Sequence, residues 1–136
     1  MKERGTNEEE AHRRAAILEK MARVPVLWED YREILEASEP WDPIRWPENH
    51  DWFLIKDVPL GAFREVTIDA VQDVGPRGER SEHRERYKAI LKMLKKGASP
   101  WPVIVADTGM IIDGYHRLAA MNTLKRPSVD VLYVPV

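Results

Sequence analysis

Residues 111–120 run Ile111-Ile112-Asp113-Gly114-Tyr115-His116-Arg117-Leu118-Ala119-Ala120, and their order decides how the chain is read. Two β-branched residues end a strand at an acidic side chain, a glycine permits a sharp bend, and helical apolar spacing follows. The helix opens with His116 and Arg117, against the usual preference. First-turn N–H groups are unpaired and carry partial positive charge, so Asp or Glu is favoured there rather than Arg. An anion such as phosphate offsets that arrangement, drawing on helix N–H groups and the guanidinium together. Gly114 lets the backbone approach the anion closely. Three roles stay open for Asp113: capping the helix, orienting His116 or Arg117, or meeting a metal beside a phosphate. The plain alternative is that Asp113 caps the helix and Arg117 pairs with it.

Working outward, Trp101–Ala106 has a Pro-Val-Ile-Val centre that predicts a buried strand, and Asp107-Thr108-Gly109 supplies a tight turn. Met110–Ile112 then returns as the second strand of a hairpin. A helix over Tyr115–Leu124 and a last strand over Val129–Val134 follow. Upstream, Ser81 caps a helix that runs to Lys96 and ends at Gly97. Its apolar side is Tyr87, Ile90, Leu91 and Leu94; its other side carries Arg84, Arg86, Lys88, Lys92, Lys95 and Lys96. Trp52–Val58 and Glu65–Val71 read as strands, with Val66 and Ile68 on one face of the second. Gly75-Pro76-Arg77-Gly78 is a turn.

The first part of the chain reads differently. Ala11, Ala15, Leu18 and Met21 recur at helical spacing over Glu8–Arg23, until Pro25 interrupts. Leu27, Trp28, Tyr31, Ile34 and Leu35 form the stripe of a second helix over Leu27–Ala37. Residues Ser38–Asp51 are a loop punctuated by Pro40, Pro43 and Pro47, whose Trp41 and Trp46 either pin it to the body, the commoner use of such aromatics, or form a recognition surface. The expected organisation is therefore a helical extension with a Pro/Trp loop over 1–51, and an α+β (α/β mixed) domain with a small mixed sheet over 52–136.

At 136 residues the chain is one domain's length, and its 43% hydrophobic and 32% charged content is globular. No apolar run approaches the roughly 20 residues a membrane-spanning helix needs. The opening MKERGTNEEEAHRR has neither an apolar core nor a cleavage pattern, so the expectation is a cytoplasmic protein. With no cysteine, disulfides, thiolate metal sites and thiol nucleophiles are excluded. The net charge of −2 divides unevenly: residues 1–75 carry 10 Lys and Arg against 17 Asp and Glu, residues 76–136 carry 11 against 6. A basic half suits an anionic partner, phosphate or nucleic acid.

Residues 102–134 resemble the ParB/sulfiredoxin superfamily, whose members share a strand, a turn, a strand ending in a Gly-containing motif, a helix opening with His-Arg or Arg-Arg, and a closing strand. Gly97, Pro100 and Val58-Pro59-Leu60 extend the likeness to 52–136. The resemblance implies a nucleotide or phosphate site at Gly114, Tyr115, His116 and Arg117, with Mg2+ accompanying a nucleoside di- or triphosphate. Sulfiredoxins carry a Cys just before the His-Arg pair; Tyr115 stands there in this chain, so sulfinic acid reduction through a thiol is excluded. Chromosome-partitioning members carry Gly-Glu-Arg-Arg, used in CTP binding and hydrolysis, and a helix-turn-helix domain for which the chain leaves no room. The Asp-Gly-His-His-Arg pattern of free serine kinases is the nearest in chemistry, with Tyr115 in place of its first His. Small phage and plasmid relatives are described as ParB-like nucleases.

Asp69, with Asp73 and Glu65, follows a strand that lies near the nucleotide in this superfamily, and offers a general base or metal ligand. Asp113 and His116 are the other candidate catalytic groups. His12, His50 and His83 have no metal-ligand spacing, and His83 is expected on a helix surface; no metal-ligating residues are assigned. Three functions follow: a nucleotide-binding NTPase or phosphotransferase; a DNA-binding or nuclease accessory using Arg84, Lys88 and Lys92; and a protein-interaction module acting through residues 1–51.

Overall fold

A computed structural model describes residues 2–37, 47–72 and 80–136. The expected loop tryptophans Trp41 and Trp46, the Gly75–Gly78 turn, Asp73 and the side chain of Ser81 lie outside what is described. Strands β1 (Val24–Val26), β2 (Trp52–Pro59), β3 (Val103–Ala106), β4 (Ile111–Asp113) and β5 (Ser128–Val134) form one sheet in the order β1-β2-β5-β3-β4. The pairing of β3 with β5 is parallel and the other pairings are antiparallel, so the sheet is mixed. The α+β class read from the sequence is the class that forms.

The central position of β5 explains its composition. A strand covered on both faces reads as a continuous apolar run, and Val131, Leu132, Tyr133 and Val134 are all buried. Alternation then sorts neighbours between two cores. Val103, Val105, Val131 and Tyr133 face one, with Leu18, Phe63, Leu94, Leu118 and Met121 from the helical side. Ile104, Ala106, Ile112, Leu132 and Val134 face the other, covered by Ile34, Leu35 and Trp52. The first face carries α1 (Lys2–Glu19), α3 (Ile68–Gln72), α4 (Arg80–Lys95) and α5 (Tyr115–Thr123). The second carries α2 (Arg32–Ala37), entered through a 3-10 turn at Trp28–Tyr31.

Several elements differ from the sequence reading. Glu65–Val71 is not a strand. Its Val66/Ile68 alternation gives way to a turn and α3, because the Thr67 hydroxyl accepts the Ala70 N–H at 3.3 Å and caps the helix start. Val24–Val26 is a strand, not an interruption between helices; Pro25 is tolerated because β1 is a sheet edge. The second helix shortens to α2 behind its 3-10 turn. Residues 1–51, read as an added extension, thus supply an edge strand and the cover of the second core.

The buried stripe of α1 also differs. It is Glu10, Arg14 and Leu18, while Ala11 and Ala15 are half-buried. Arg14 is 2% exposed; its guanidinium donates to the Ala62 carbonyl at 3.0 Å, the Gly109 carbonyl at 2.7 Å and the Glu65 carboxylate, and lies over the Phe63 ring. Glu10 accepts from Arg64 Nε at 2.6 Å. Gly109, in the β3–β4 turn at φ +87°, sits directly against α1: a Cβ there would collide with the Ala11 carbonyl. On the other side, the Asn122 amide of α5 donates to the Phe63 and Val66 carbonyls at 2.9 and 2.8 Å.

Replacing Arg14 by Met leaves the Glu65 carboxylate and two inward carbonyls without their donor. Breaking a buried ion pair from one side costs about 3–5 kcal/mol. Urea denaturation of Arg14→Met is expected to show a loss of that order, whereas a loss below about 1 kcal/mol would mean that the pair contributes no more than a surface one.

Candidate functional site

The turn from β4 into α5 is built on Gly114. Its φ of +114° lies in the left-handed region, and a Cβ would approach Val103 Cγ1 to 2.5 Å. Only glycine lets β4 break into a helix while its backbone passes this close to β3. Gly114 is also the N-cap of α5 and gives no side-chain cap, so the first-turn N–H groups are not satisfied by an N-cap side chain. Asp113 is therefore not the N-cap residue.

An open cleft of about 330 Å³ lies at this helix start, lined by Ile34, Arg86, Ala89, Ile90, Trp101, Asp113, Gly114, His116 and Arg117. Five stretches of the chain meet there, Ile34 coming from α2. α4 presents Arg86 and Ile90 one helical turn apart, β4 ends in Asp113, α5 supplies His116 and Arg117, and Trp101 precedes β3 with 40% of its surface exposed. Arg117 folds back over Gly114. Its Nη2 donates to the Pro102 carbonyl at 3.2 Å and lies 3.9 Å from Asp113 Oδ2. Its Nε is buried without a partner among the described residues. Burial lowers the guanidinium pKa, with Asp113 opposing, yet an arginine stays charged at neutral pH.

His116 is held differently. Its Nε2 lies 2.8 Å from His83 Nδ1 on α4. Burial, then the His83 ring and Arg86, lower its pKa to about 4 against the pull of Asp113, so at pH 7 it is a neutral imidazole between two arginines. His83, expected at a helix surface, is half-buried and joined to the motif. The clue available in the sequence was its spacing: His83, Arg86 and Ile90 are three and four apart and share one helix face.

The remaining candidates fall elsewhere. Tyr115 turns its ring into the first core and donates its hydroxyl to the Ile111 carbonyl at 3.1 Å; burial pushes its phenol pKa up. Only its backbone belongs to the helix start. Asp69 is exposed in the first turn of α3, not beside a strand, and is not among the residues lining the cleft. Arg84, Lys88 and Lys92 follow one another at four-residue spacing on an exposed stripe of α4 turned away from Arg86. Lys88 and Lys92 line a separate groove with Leu91, Lys95 and Lys96. Among the described residues no group of three or more His, Asp or Glu could hold a metal ion, and no helix is long and apolar enough to cross a membrane.

No protein-family model matches the chain, and no curated protein matches it. Among solved structures it is similar to a Pnob8-like ParB-N domain, at 20% identity and a TM-score of 0.40 over 64% of this chain. The chain spans 30% of that structure's length.

The neutral His116 has a consequence for stability. An unfolded chain's imidazole takes up its proton near 6.5 and the folded one only at about 4, so unfolding binds a proton within that window. Stability is therefore lost as the pH falls below 6.5 toward 4. Urea midpoints measured at neutral pH and at about pH 5 are expected to drop further for the native chain than for His116→Gln; equal drops would show that His116 is solvated and ordinary.

Proposed function

We propose that this chain is a nucleotide-binding protein whose ligand places its phosphates at the start of α5. One observation carries the reading: the open cleft where the Gly114 turn, Arg86, His116 and Arg117 converge around Asp113, the carboxylate among the described lining residues. Unpaired helix N–H groups and guanidinium groups are the two donors best suited to phosphate oxygens. Trp101 adds an exposed aromatic wall against which a base can stack. The volume falls at the lower end of the range for ligand sites, about 300–1,000 Å³, enough for the phosphates and part of a nucleoside.

Mg2+ would arrive with a nucleoside di- or triphosphate. The donor set fits that route: with one carboxylate in the lining, phosphate oxygens and water supply the ion's ligands. Phosphoryl transfer or NTP hydrolysis is chemistry open to such a cleft, because it depends on positioning and charge stabilisation. Asp113 and the neutral His116 are the lining groups able to accept a proton.

ATP, ADP, CTP and GTP, each with Mg2+, are expected to change the tryptophan fluorescence saturably. Arg86→Ala, an exposed change, should weaken binding about tenfold or more, the worth of one hydrogen bond to a charged group. An unchanged signal with all four nucleotides at millimolar concentration would overturn the reading.

A second reading has its own observation. Lys88, Lys92, Lys95 and Lys96 border one groove on α4 together with Leu91, and among the described residues no carboxylate lines it. Such a stripe suits nucleic-acid phosphates. It predicts a gel shift with duplex DNA that weakens steeply with salt, and a salt slope about one unit smaller for Lys88→Ala. No shift at low salt would remove it.

A further inference from the structure

The contact between His83 and His116 is a hydrogen bond in the ring planes. Their planes differ by 23°, and the ring centres are 4.9 Å apart. That separation is close to the 2.8 Å nitrogen contact plus each nitrogen's distance from its own ring centre. The facing nitrogens therefore lie between the centres, one donating and the other accepting. This arrangement tolerates one extra proton on the pair but not two. With both rings cationic, both facing nitrogens would be donors and the contact would break.

We propose that His83 is a positioning residue for the cleft's anion site, and that the His83–His116 pair takes up one proton when a phosphate group enters. The proposal rests on the nucleotide reading of the same cleft and adds to it a proton linked to binding. The charges facing His116 make it so. Arg86 from α4 and Arg117 from α5, with the His83 ring, oppose its protonation, and among the described residues Asp113 from β4 acts the other way. Desolvation adds to the opposition and leaves His116 neutral. A phosphate dianion brings two negative charges to the wall that His116 shares with both arginines, and that reverses the balance. The imidazolium so formed donates to a phosphate oxygen, while His83 keeps the other ring nitrogen hydrogen-bonded and the ring fixed in the lining. Affinity then rises as the pH falls, by up to about tenfold per pH unit for one linked proton.

The test compares the full-length native chain with His83→Asn. The asparagine amide can retain a hydrogen bond to His116 but cannot carry the proton. Imidazole 15N NMR of the native chain without ligand should show His116 staying neutral well below the usual imidazole range, with its Nε2 hydrogen-bonded to His83; an ordinary titration of His116 would overturn the premise. MgADP affinity is then measured between about pH 7.5 and pH 5.5 for both proteins, whose shared ligand cancels the nucleotide's own protonation. The expected result is a steeper gain toward low pH in the native chain than in His83→Asn. Equal slopes overturn the proton coupling and leave the nucleotide reading standing. Failure of MgADP to bind either protein at any pH overturns both.

Discussion

A side chain at position 114 has no room, and the arrangement of the cleft follows from that. The backbone there passes against Val103 so closely that a Cβ would intrude on the valine, and its φ is one that side chains rarely adopt. Strand β4 can therefore turn at once into α5, with no intervening loop. That places the helix start beside the end of the sheet, where Asp113, His116 and Arg117 face α4. A longer connection would move the first turn of α5 away from Arg86 and Trp101, and the residues would no longer line one space.

Electrostatics in that space are arranged against charge on His116. Burial weighs most, the His83 ring, Arg86 and Arg117 add to it, and among the described residues Asp113 opposes them. A helix start with positively charged neighbours is a poor environment in isolation, because each element adds potential of the same sign. Burial spares the protein part of the cost by leaving His116 neutral, while the arginines remain charged. The result is a site with stored positive potential and a base held in reserve, the combination that an incoming oxyanion would relieve.

Much of the fold was legible because the sheet obeys simple patterns. The Pro-Val-Ile-Val run and the Asp-Thr-Gly turn have the composition of a buried hairpin and form one with β4, while the closing Val129–Val134 stretch forms the strand that lies parallel beside β3. The failures have identifiable physical causes. Alternation at Val66 and Ile68 imitates a strand, but Thr67 caps a helix and overrides it. In α1 the alanines looked like the buried stripe, whereas the groups inside are Glu10 and Arg14. Their burial is allowed by partners 48 to 95 residues away, which no local pattern announces. The motif residues Asp113, Gly114, His116 and Arg117 were readable as a unit because they are adjacent in the chain. Arg86, His83 and Trp101 join them only through the packing of α4 on α5 and the course of the chain before β3.

The order of the strands has an implication for biosynthesis. β5, the middle of the sheet, is the last of its five described strands in chain order, and until it is made β2 and β3 have no common neighbour. The nascent protein thus carries two unfinished sheet fragments, each with open backbone edges of the kind that invites pairing with other chains. Arg14 likewise waits for Gly109 before its guanidinium is fully satisfied. A chain that stops before residue 128 therefore lacks the strand that joins its two sheet fragments, and leaves an edge of β2 and of β3 unpaired.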